Sequence, residues 1–242
     1  MMEQKLSQAI NFILETGRAI FLILRLYKAN TNSKTIKTKT KKMKSLKLFS
    51  VMVCCLAAMS FISCDNNDDN NTALTKDEKA QCLAAIKGDY TGKMVYANTD
   101  AKTLQTVNDT VDLSWSILTD STMIIKHFPT KALTVNITDN TLSSALATAA
   151  SVDMTCQIAF VKTSPVTFLI NPVTPSYNLT YGGIIHQVQI PFYTNNGYTF
   201  GAYNATKKLL QMQIVEGAIY VDGKLTTFLK AATPFLLYAT KK

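Results

Sequence analysis

The C-terminal two thirds of the chain alternate apolar and polar side chains with a period of two. Between Val111 and Ile117, for example, every second residue is apolar, and the residues between them are Asp or Ser. This alternation is typical of an antiparallel strand with one buried face. Five more runs share it: residues 133–137, 154–160, 184–190, 210–214 and 235–239. About ten short strands at this spacing predict a mainly β fold, either an antiparallel barrel or a sandwich.

Two turn signals lie between the alternating runs. They are Asn195-Asn196-Gly197 and Asp222-Gly223. Asn, Asp and Gly tolerate the positive φ angles that two-residue hairpins require. We therefore expect each of them to join two antiparallel strands.

Helices are predicted at two places only. Thr75, followed three residues later by Glu78, forms a capping box, and residues 76–87 are good helix formers that end before Gly88. The apolar side of this helix is expected to consist of Ala80, Leu83, Ala84 and Ile86, with Cys82 beside them. A second, Ala-rich helix is predicted over residues 141–151.

Residues 43–63 have the three parts of a secretory signal in the right order. Lys44 and Lys47 precede an apolar run, Leu48 to Ile62, and a small residue, Ser63, follows it. The run has 15 residues, whereas a membrane-spanning helix needs about 20. We expect an export signal here rather than a transmembrane helix.

The end of this signal, Phe61-Ile62-Ser63-Cys64, resembles the lipobox of bacterial lipoproteins in its Bacteroidetes form. The resemblance implies that Cys64 becomes the first mature residue and carries a lipid that anchors the protein to a membrane. Residues 64–73 are then an acidic Asn/Asp tether, similar to the signal that sends such lipoproteins to the outer face of the outer membrane. The implied location is the outer membrane, exposed on the cell surface, with a periplasm-facing position as the alternative.

Residues 1–42 precede the signal and do not fit an exported protein. One interpretation is an amphipathic membrane-surface helix followed by a basic arm at residues 30–42. The other is that translation begins at Met43 and that residues 1–42 are a mis-assigned start without structure of their own. We favour the second, because an upstream segment would bury the signal.

The positive charge of the chain belongs to residues 1–63, that is, to the N-terminal segment and the predicted signal together. The whole chain carries a net charge of +9, but residues 64–242 hold 14 Lys, 14 acidic residues and no Arg. Without Arg, these residues lack the bidentate fork that recognises phosphate or guanine. We expect no nucleic-acid partner, and we expect residues 74–242 to form a single β-rich domain.

Two further resemblances concern this domain. A helix followed by Gly88-Asp89-Tyr90 and then strands is similar in outline to lipocalin-like barrels, whose first strand opens with Gly-x-Trp. The lipobox, tether, capped helix and β-rich body together resemble uncharacterised Bacteroidetes surface lipoproteins. This second resemblance implies a location but no activity.

Candidate catalytic and metal-binding residues are few. His127 and His186 each fall within a predicted strand, and neither has a ligand at zinc-site spacing. Asp65, Asp68 and Asp69 lack the spacing and the closing Glu of a calcium loop. A Ser-His-Asp triad stays open, since its members need not be neighbours in sequence, but there is no Gly-x-Ser-x-Gly elbow. We expect no catalytic site, metal or cofactor, and an enzyme is the least favoured class.

Two cysteines, Cys82 and Cys156, remain once the signal and the lipidated Cys64 are set aside. Both are predicted to face the core. They form either a disulfide that joins helix to sheet, or two buried free thiols.

Aromatic and amide residues are concentrated between residues 177 and 203. This region contains Tyr177, Tyr181, Tyr193, Tyr198 and Tyr203, with several Asn residues between them. We interpret it as a candidate platform for a glycan or peptide, and the alternative is that these Tyr side chains simply pack in strands. In addition, Asp109-Thr110-Val111 and Asp120-Ser121-Thr122 resemble Bacteroidetes O-glycosylation sequences, which makes Thr110 and Ser121 candidate modification sites.

Two classes of function follow from these observations. The first is a lipid-anchored extracytoplasmic binding module for a small apolar molecule, a glycan or a protein. The second is a structural or accessory envelope lipoprotein that acts through protein–protein contacts.

Overall fold

The structure, a computed structural model, describes residues 73–99 and 106–241 of the 242-residue chain. The N-terminal segment 1–42, the signal 43–63, Cys64 and nearly all of the tether lie outside the described residues. The expectations for those segments therefore stay predictions.

The described residues form two α-helices, one 3-10 helix and twelve strands. In chain order these elements are α1 (Lys76–Ile86), β1 (Gly88–Thr99), β2 (Thr106–Ile117), β3 (Thr122–Phe128), the 3-10 helix (Thr130–Thr134), α2 (Asn140–Ala147), β4 (Val152–Thr163), β5 (Val166–Pro172), β6 (Ser176–Tyr181), β7 (Ile184–Gln189), β8 (Phe200–Asn204), β9 (Leu209–Glu216), β10 (Tyr220–Val221), β11 (Lys224–Leu225) and β12 (Thr233–Thr240).

Eight strands close into an antiparallel barrel in the order β1-β12-β9-β8-β5-β4-β3-β2. The prediction of a mainly β fold is thus confirmed, and of its two alternatives the structure has the barrel. The remaining strands form a separate four-stranded sheet in the order β11-β10-β7-β6, which we call the small sheet. It is built from two insertions, one between β5 and β8 and the other between β9 and β12.

The alternating side chains fill the barrel. On β9, Leu210, Met212 and Ile214 are fully buried, and they pair across to β12 at inward positions with Ala239, Leu237 and Phe235. Burial of such side chains from water is the main source of stability in a fold of this kind. The period of two in the sequence therefore corresponds to side chains that point alternately into the barrel and out of it.

The two ends of the barrel differ. At the first end, α1 packs near β4, and Lys241 Nζ donates to the carbonyl of Ala85 at 2.6 Å. Short turns connect β2 to β3, β4 to β5 and β8 to β9 there. The long insertions, with the 3-10 helix, α2 and the small sheet, all start at the opposite end, which we call the cap end.

Helix α1 begins as predicted. Glu78 N donates to Thr75 Oγ1 at 3.2 Å, and Thr75 N donates to Glu78 Oε2 at 2.8 Å, so that both halves of the capping box are present. Its buried residues are Cys82 and Ile86, whereas Ala80 and Ala84 are exposed. The expected apolar side was thus partly wrong, because Ala is small enough to lie on either side of a helix without cost.

Three other local predictions need correction. The run 133–137 is not a strand: after Pro129 the chain forms the 3-10 helix, and only Ile137 makes an isolated bridge, to Leu229. The Asn195 turn does not close a hairpin, since it connects the small sheet to the barrel. The second helix is shorter than expected and ends at residue 147. Asp222-Gly223 does close the β10–β11 hairpin, with φ angles of 50° and 74°.

Candidate functional site

Tyr193 and Tyr198 form an exposed aromatic pair at the cap end. Their side chains are 38% and 55% exposed, and their ring centroids lie 6.3 Å apart with planes inclined at 53°. Tyr193 N donates to the carbonyl of Val215 at 2.9 Å, which places this residue beside the edge of β9 at its last residues. The two inclined rings form a shallow, solvent-facing surface.

Hydrogen bonds and packing hold this pair in place. Gln213 Nε2 donates to the carbonyl of Tyr198 at 2.8 Å, and Tyr198 N donates to Asn196 Oδ1 at 2.9 Å. The ring of Tyr193 lies on Gly217, where a Cβ atom would come within 2.5 Å of the ring. The segment between the two tyrosines is pinned as well, because Asn171 and Asn195 exchange two hydrogen bonds of 2.8 and 2.7 Å.

The other three tyrosines of the predicted platform do not join this pair. Tyr177 and Tyr203 are buried in the hydrophobic core. Tyr181 is half-buried and lies against His186, with ring centroids 4.3 Å apart and planes inclined at 30°. The alternation of β6 and β8 turns these side chains away from solvent. The expected platform of five tyrosines is therefore reduced to two.

His186 lies between Tyr181 and the carboxylate of Asp222. Its Nδ1 is 2.7 Å from Asp222 Oδ2, while Asp222 Oδ1 accepts from Gln187 N at 2.9 Å. These hydrogen bonds, led by the one to His186, hold the pKa of Asp222 below its usual range. The arrangement links the β10–β11 hairpin to β7, as a structural histidine would.

His127 is in a different environment. Its φ of 51° occurs at an irregularity in the pairing of β3 with β4, and its side chain is 81% exposed. The backbone N–H donates to Asp153 Oδ1 at 2.8 Å. The two histidines thus lie on separate elements, and no group of three potential metal-binding His, Cys, Asp or Glu residues occurs within the described residues.

Glu216 is an acidic residue that was not among the candidate site residues expected from the sequence. It is the last residue of β9 and continues the inward series of Leu210, Met212 and Ile214 by one step. It is fully buried, and in the part of the chain that the structure describes neither carboxyl oxygen has a hydrogen-bond partner. Extending the alternation to the end of the strand would have revealed it.

Burial raises the pKa of Glu216 to about 8, because the interior disfavours the charged form. Thr233, its cross-strand neighbour on β12, acts in the opposite direction and lowers this pKa. Its hydroxyl nevertheless forms no hydrogen bond of normal geometry with either carboxyl oxygen. The Thr233 hydroxyl instead accepts from Asn136 Nδ2 at 2.9 Å. At neutral pH the carboxyl group is therefore largely protonated.

Two more buried hydroxyls at the cap end lack partners within the described residues. Tyr177 Oη comes from β6 of the small sheet, and Thr199 Oγ1 comes from the residue before β8. Burial raises the pKa of Tyr177 to about 12, and the nearby Glu216 carboxylate adds to the increase. Of these side chains, Tyr177 lies near Glu216 and Thr233 is its cross-strand neighbour. We call Glu216, Tyr177 and Thr233 the inner polar cluster.

The remaining predicted residues are placed as follows. Cys82 and Cys156 are two free buried thiols, whose Sγ atoms are directed to the carbonyls of Lys162 and Met154. Of the two alternatives for these residues, the structure thus has the unbonded one. Thr110 and Ser121 are both exposed, on β2 and on the β2–β3 turn, and their glycosylation stays a prediction.

The outer face of the small sheet carries exposed apolar side chains. Ile185 is 71% exposed and Leu225 is 65% exposed, and nearby Ile184 is 60% exposed at the β6–β7 turn. Neither α1 nor α2, nor any other helix in the described ranges, has the length and apolar character that a membrane-spanning helix needs.

Comparisons with known proteins place the chain in a family. A family model described as Domain of unknown function (DUF4840) matches residues 85–221, which is more than half of the chain and extends from the end of α1 through β10. No curated protein matches. Among solved structures, the chain is similar to an auxiliary nutrient binding protein from Bacteroides thetaiotaomicron VPI-5482, at 7% identity and a TM-score of 0.17. The match covers 63% of this chain and 45% of that one.

Proposed function

Given that the chain belongs to the family described as Domain of unknown function (DUF4840), we propose a function from the geometry of the cap end. The protein is an extracytoplasmic binding module that captures a glycan on the Tyr193–Tyr198 pair, and a lipid on Cys64 anchors it to the outer membrane. The observation on which this proposal rests is the exposed aromatic pair, Tyr193 and Tyr198.

The chemistry of the pair suits a sugar. A sugar ring presents C–H groups on its faces, which pack on aromatic rings, and hydroxyls at its edge, which need hydrogen-bond partners. Asn196 uses its Oδ1 to accept from Tyr198 N, and no bond among the described residues uses its two amide N–H donors. A Tyr side chain has only two rotatable χ angles, so that ordering the pair on binding would cost little side-chain entropy.

A panel of soluble oligosaccharides, tested by calorimetry on the full chain, addresses this proposal. For a glycan that binds, Tyr198→Ala should weaken the affinity by about tenfold or more, because truncation removes a central contact. Tyr198→Phe keeps the ring face and should retain most of the affinity. Tyr238→Ala, on the outside of β12, is the matched control and should leave it unchanged. An affinity unaffected by Tyr198→Ala would contradict the proposal.

The lipid anchor places the pair away from the membrane. Cys64 precedes α1 by 12 residues, and α1 lies at the barrel end remote from the cap. A lipid at Cys64 would therefore hold the α1 end near the membrane and leave the cap end facing outward. In the native host, Cys64→Ser should move the protein from the membrane fraction to the soluble fraction, whereas Cys82→Ser should not. Equal membrane association of both variants would argue against lipidation at Cys64.

A second candidate function rests on the exposed Ile185 and Leu225 of the small sheet. A structural or accessory lipoprotein would use such an apolar surface for protein contacts. In-cell crosslinking from position 185 that gives one partner-specific product, lost in Leu225→Asp, would favour this function. No such product would leave the glycan-binding module as the better account.

A further inference from the structure

The inner polar cluster lies inside the cap end, on the opposite side of the barrel wall from the tyrosine pair. Glu216 is directed inward from β9 and is flanked by its strand neighbours, Thr233 on β12 and Phe192 in an isolated bridge. We propose that this cluster binds the protonated amine of a small ligand, with the Glu216 carboxylate as its counter-ion. This site is separate from the proposed glycan surface.

The proposal of an amine site rests on buried oxygen atoms that lack hydrogen-bond partners. Both carboxyl oxygens of Glu216 and the hydroxyl oxygen of Tyr177 are buried and lack hydrogen-bond partners among the described residues. Leaving such groups buried and unpaired costs about 1–3 kcal/mol each, so that a bound group which pairs with them would be favoured. Because the oxygens are available as acceptors, a ligand group rich in donors fits them best, and a primary ammonium group has three N–H donors.

A metal ion fits the same oxygens less well. Calcium takes six to eight oxygen ligands and usually several carboxylates. The cluster has a single carboxyl group, and within the described ranges no three His, Cys, Asp or Glu side chains come together as ligands. One carboxylate, with the hydroxyls of Tyr177 and Thr233 beside it, matches the single charge of an ammonium group.

Aromatic rings cluster on the Phe192 side of Glu216. Phe192 is next to Glu216, and its ring centroid is 6.2 Å from those of both Phe128 and Phe235. Ring faces attract a cation, most strongly where water is excluded. All of these side chains are buried, so that the site would separate the ligand from solvent.

The charge state of the site is consistent with this ligand. The raised pKa keeps the Glu216 carboxyl largely protonated at neutral pH, which avoids a buried unpaired charge. The arrival of an ammonium group favours the carboxylate, because opposite charges stabilise each other strongly in the interior. The proton released from Glu216 passes to the solvent when the ion pair forms. Tyr177 is the titratable group that the small sheet presents to Glu216.

The carboxyl carbon of Glu216 offers a direct test. The chain contains four Glu residues, at positions 3, 15, 78 and 216, so that ¹³C labelling of Glu gives four carboxyl signals, of which Glu216→Gln identifies one. Methylammonium and ethylammonium chloride should move that signal of the full chain saturably toward the carboxylate position at pH 7. Methanol and ethanol, with sodium chloride at equal ionic strength, should leave it in place. No movement with the amines, or equal movement with the alcohols, overturns the proposal.

Variants give a second, independent test. Calorimetric binding of methylammonium should be lost in Glu216→Gln and weakened several-fold in Tyr177→Phe. Asp120→Asn, which neutralises an exposed carboxylate at the other end of the barrel, should bind as the unchanged protein does. Equal binding by Glu216→Gln and Asp120→Asn would contradict a site at Glu216. Glycan binding at Tyr198 should be the same in all these variants, so that failure of one proposal leaves the other standing.

Discussion

At the scale of single residues, Glu216 makes stability depend on pH. Its pKa is 4.5 when unfolded and about 8 when folded, so that between these values the folded protein binds more protons than the unfolded chain does. Stability from this group is therefore highest at or below pH 4.5, falls as pH rises, and is constant again above about pH 8. Each unit of pKa is about 1.4 kcal/mol, which gives a decrease on the order of 5 kcal/mol across the window.

Glu216→Gln should remove this slope, because an amide stays neutral. Urea unfolding at pH 5, 7 and 9 measures this pH dependence of the free energy of unfolding. The free energy of unfolding of the variant, relative to that of the unchanged protein, should increase steadily from pH 5 to pH 9. A constant difference over this range would show that Glu216 is ionised in the folded state.

Gly92 is a second residue with a large expected effect. A Cβ atom there would lie 2.2 Å from the carbonyl oxygen of Tyr238 and 2.7 Å from the ring of Trp115. Because backbone on β12 cannot move aside easily, Gly92→Ala should lower the free energy of unfolding by about 2 kcal/mol or more. Gly197→Ala is the control, since no atom lies within 4 Å of the added group, and it should change stability by less than about 0.5 kcal/mol. Equal effects of the two changes would mean that β1 and β12 are not packed as described.

At the scale of elements, the sequence predicts best where the signal is local. The capping box of Thr75 and Glu78 and the Asp222-Gly223 hairpin depend on neighbouring residues, and both are present in the structure. The prediction of a strand at residues 133–137 was wrong, because three apolar residues at alternate positions also suit a short buried helix. Pro129, just before it, marks the end of β3, since proline cannot donate a ladder hydrogen bond.

The β10–β11 hairpin offers a prediction at this scale. Gly223 has a φ of +74°, which a side chain disfavours by about 1 kcal/mol or more. Gly223→Ala should therefore loosen the hairpin without unfolding the barrel. Hydrogen exchange at Asp222, whose N–H donates to the carbonyl of Gln187 at 2.8 Å, should become about fivefold faster or more, while exchange on β9 stays unchanged. Unchanged exchange at Asp222 would show that the turn tolerates the side chain.

At the scale of the whole molecule, the sequence predicted a β domain but not which elements lie at the two ends of its barrel. Alternation looks the same in a barrel and in a sandwich, because it reports one buried face and not which strands pair. The division into barrel and small sheet depends on contacts between distant residues, such as Gln189 with Tyr220. For the same reason, the cap end and its inner polar cluster could not be located from sequence alone, although Tyr193 and Tyr198 were among the residues expected to bind.

The central claim is that glycan binding occurs on the outside of the cap end, at Tyr193 and Tyr198. Amide chemical-shift mapping of the ¹⁵N-labelled chain, titrated with a glycan that binds, tests it most directly. We expect the largest shifts in residues 193–198 and at Gln213, and none in α1 or at the β2–β3 turn. The largest shifts on the outer face of the small sheet, or at the α1 end, would contradict the account.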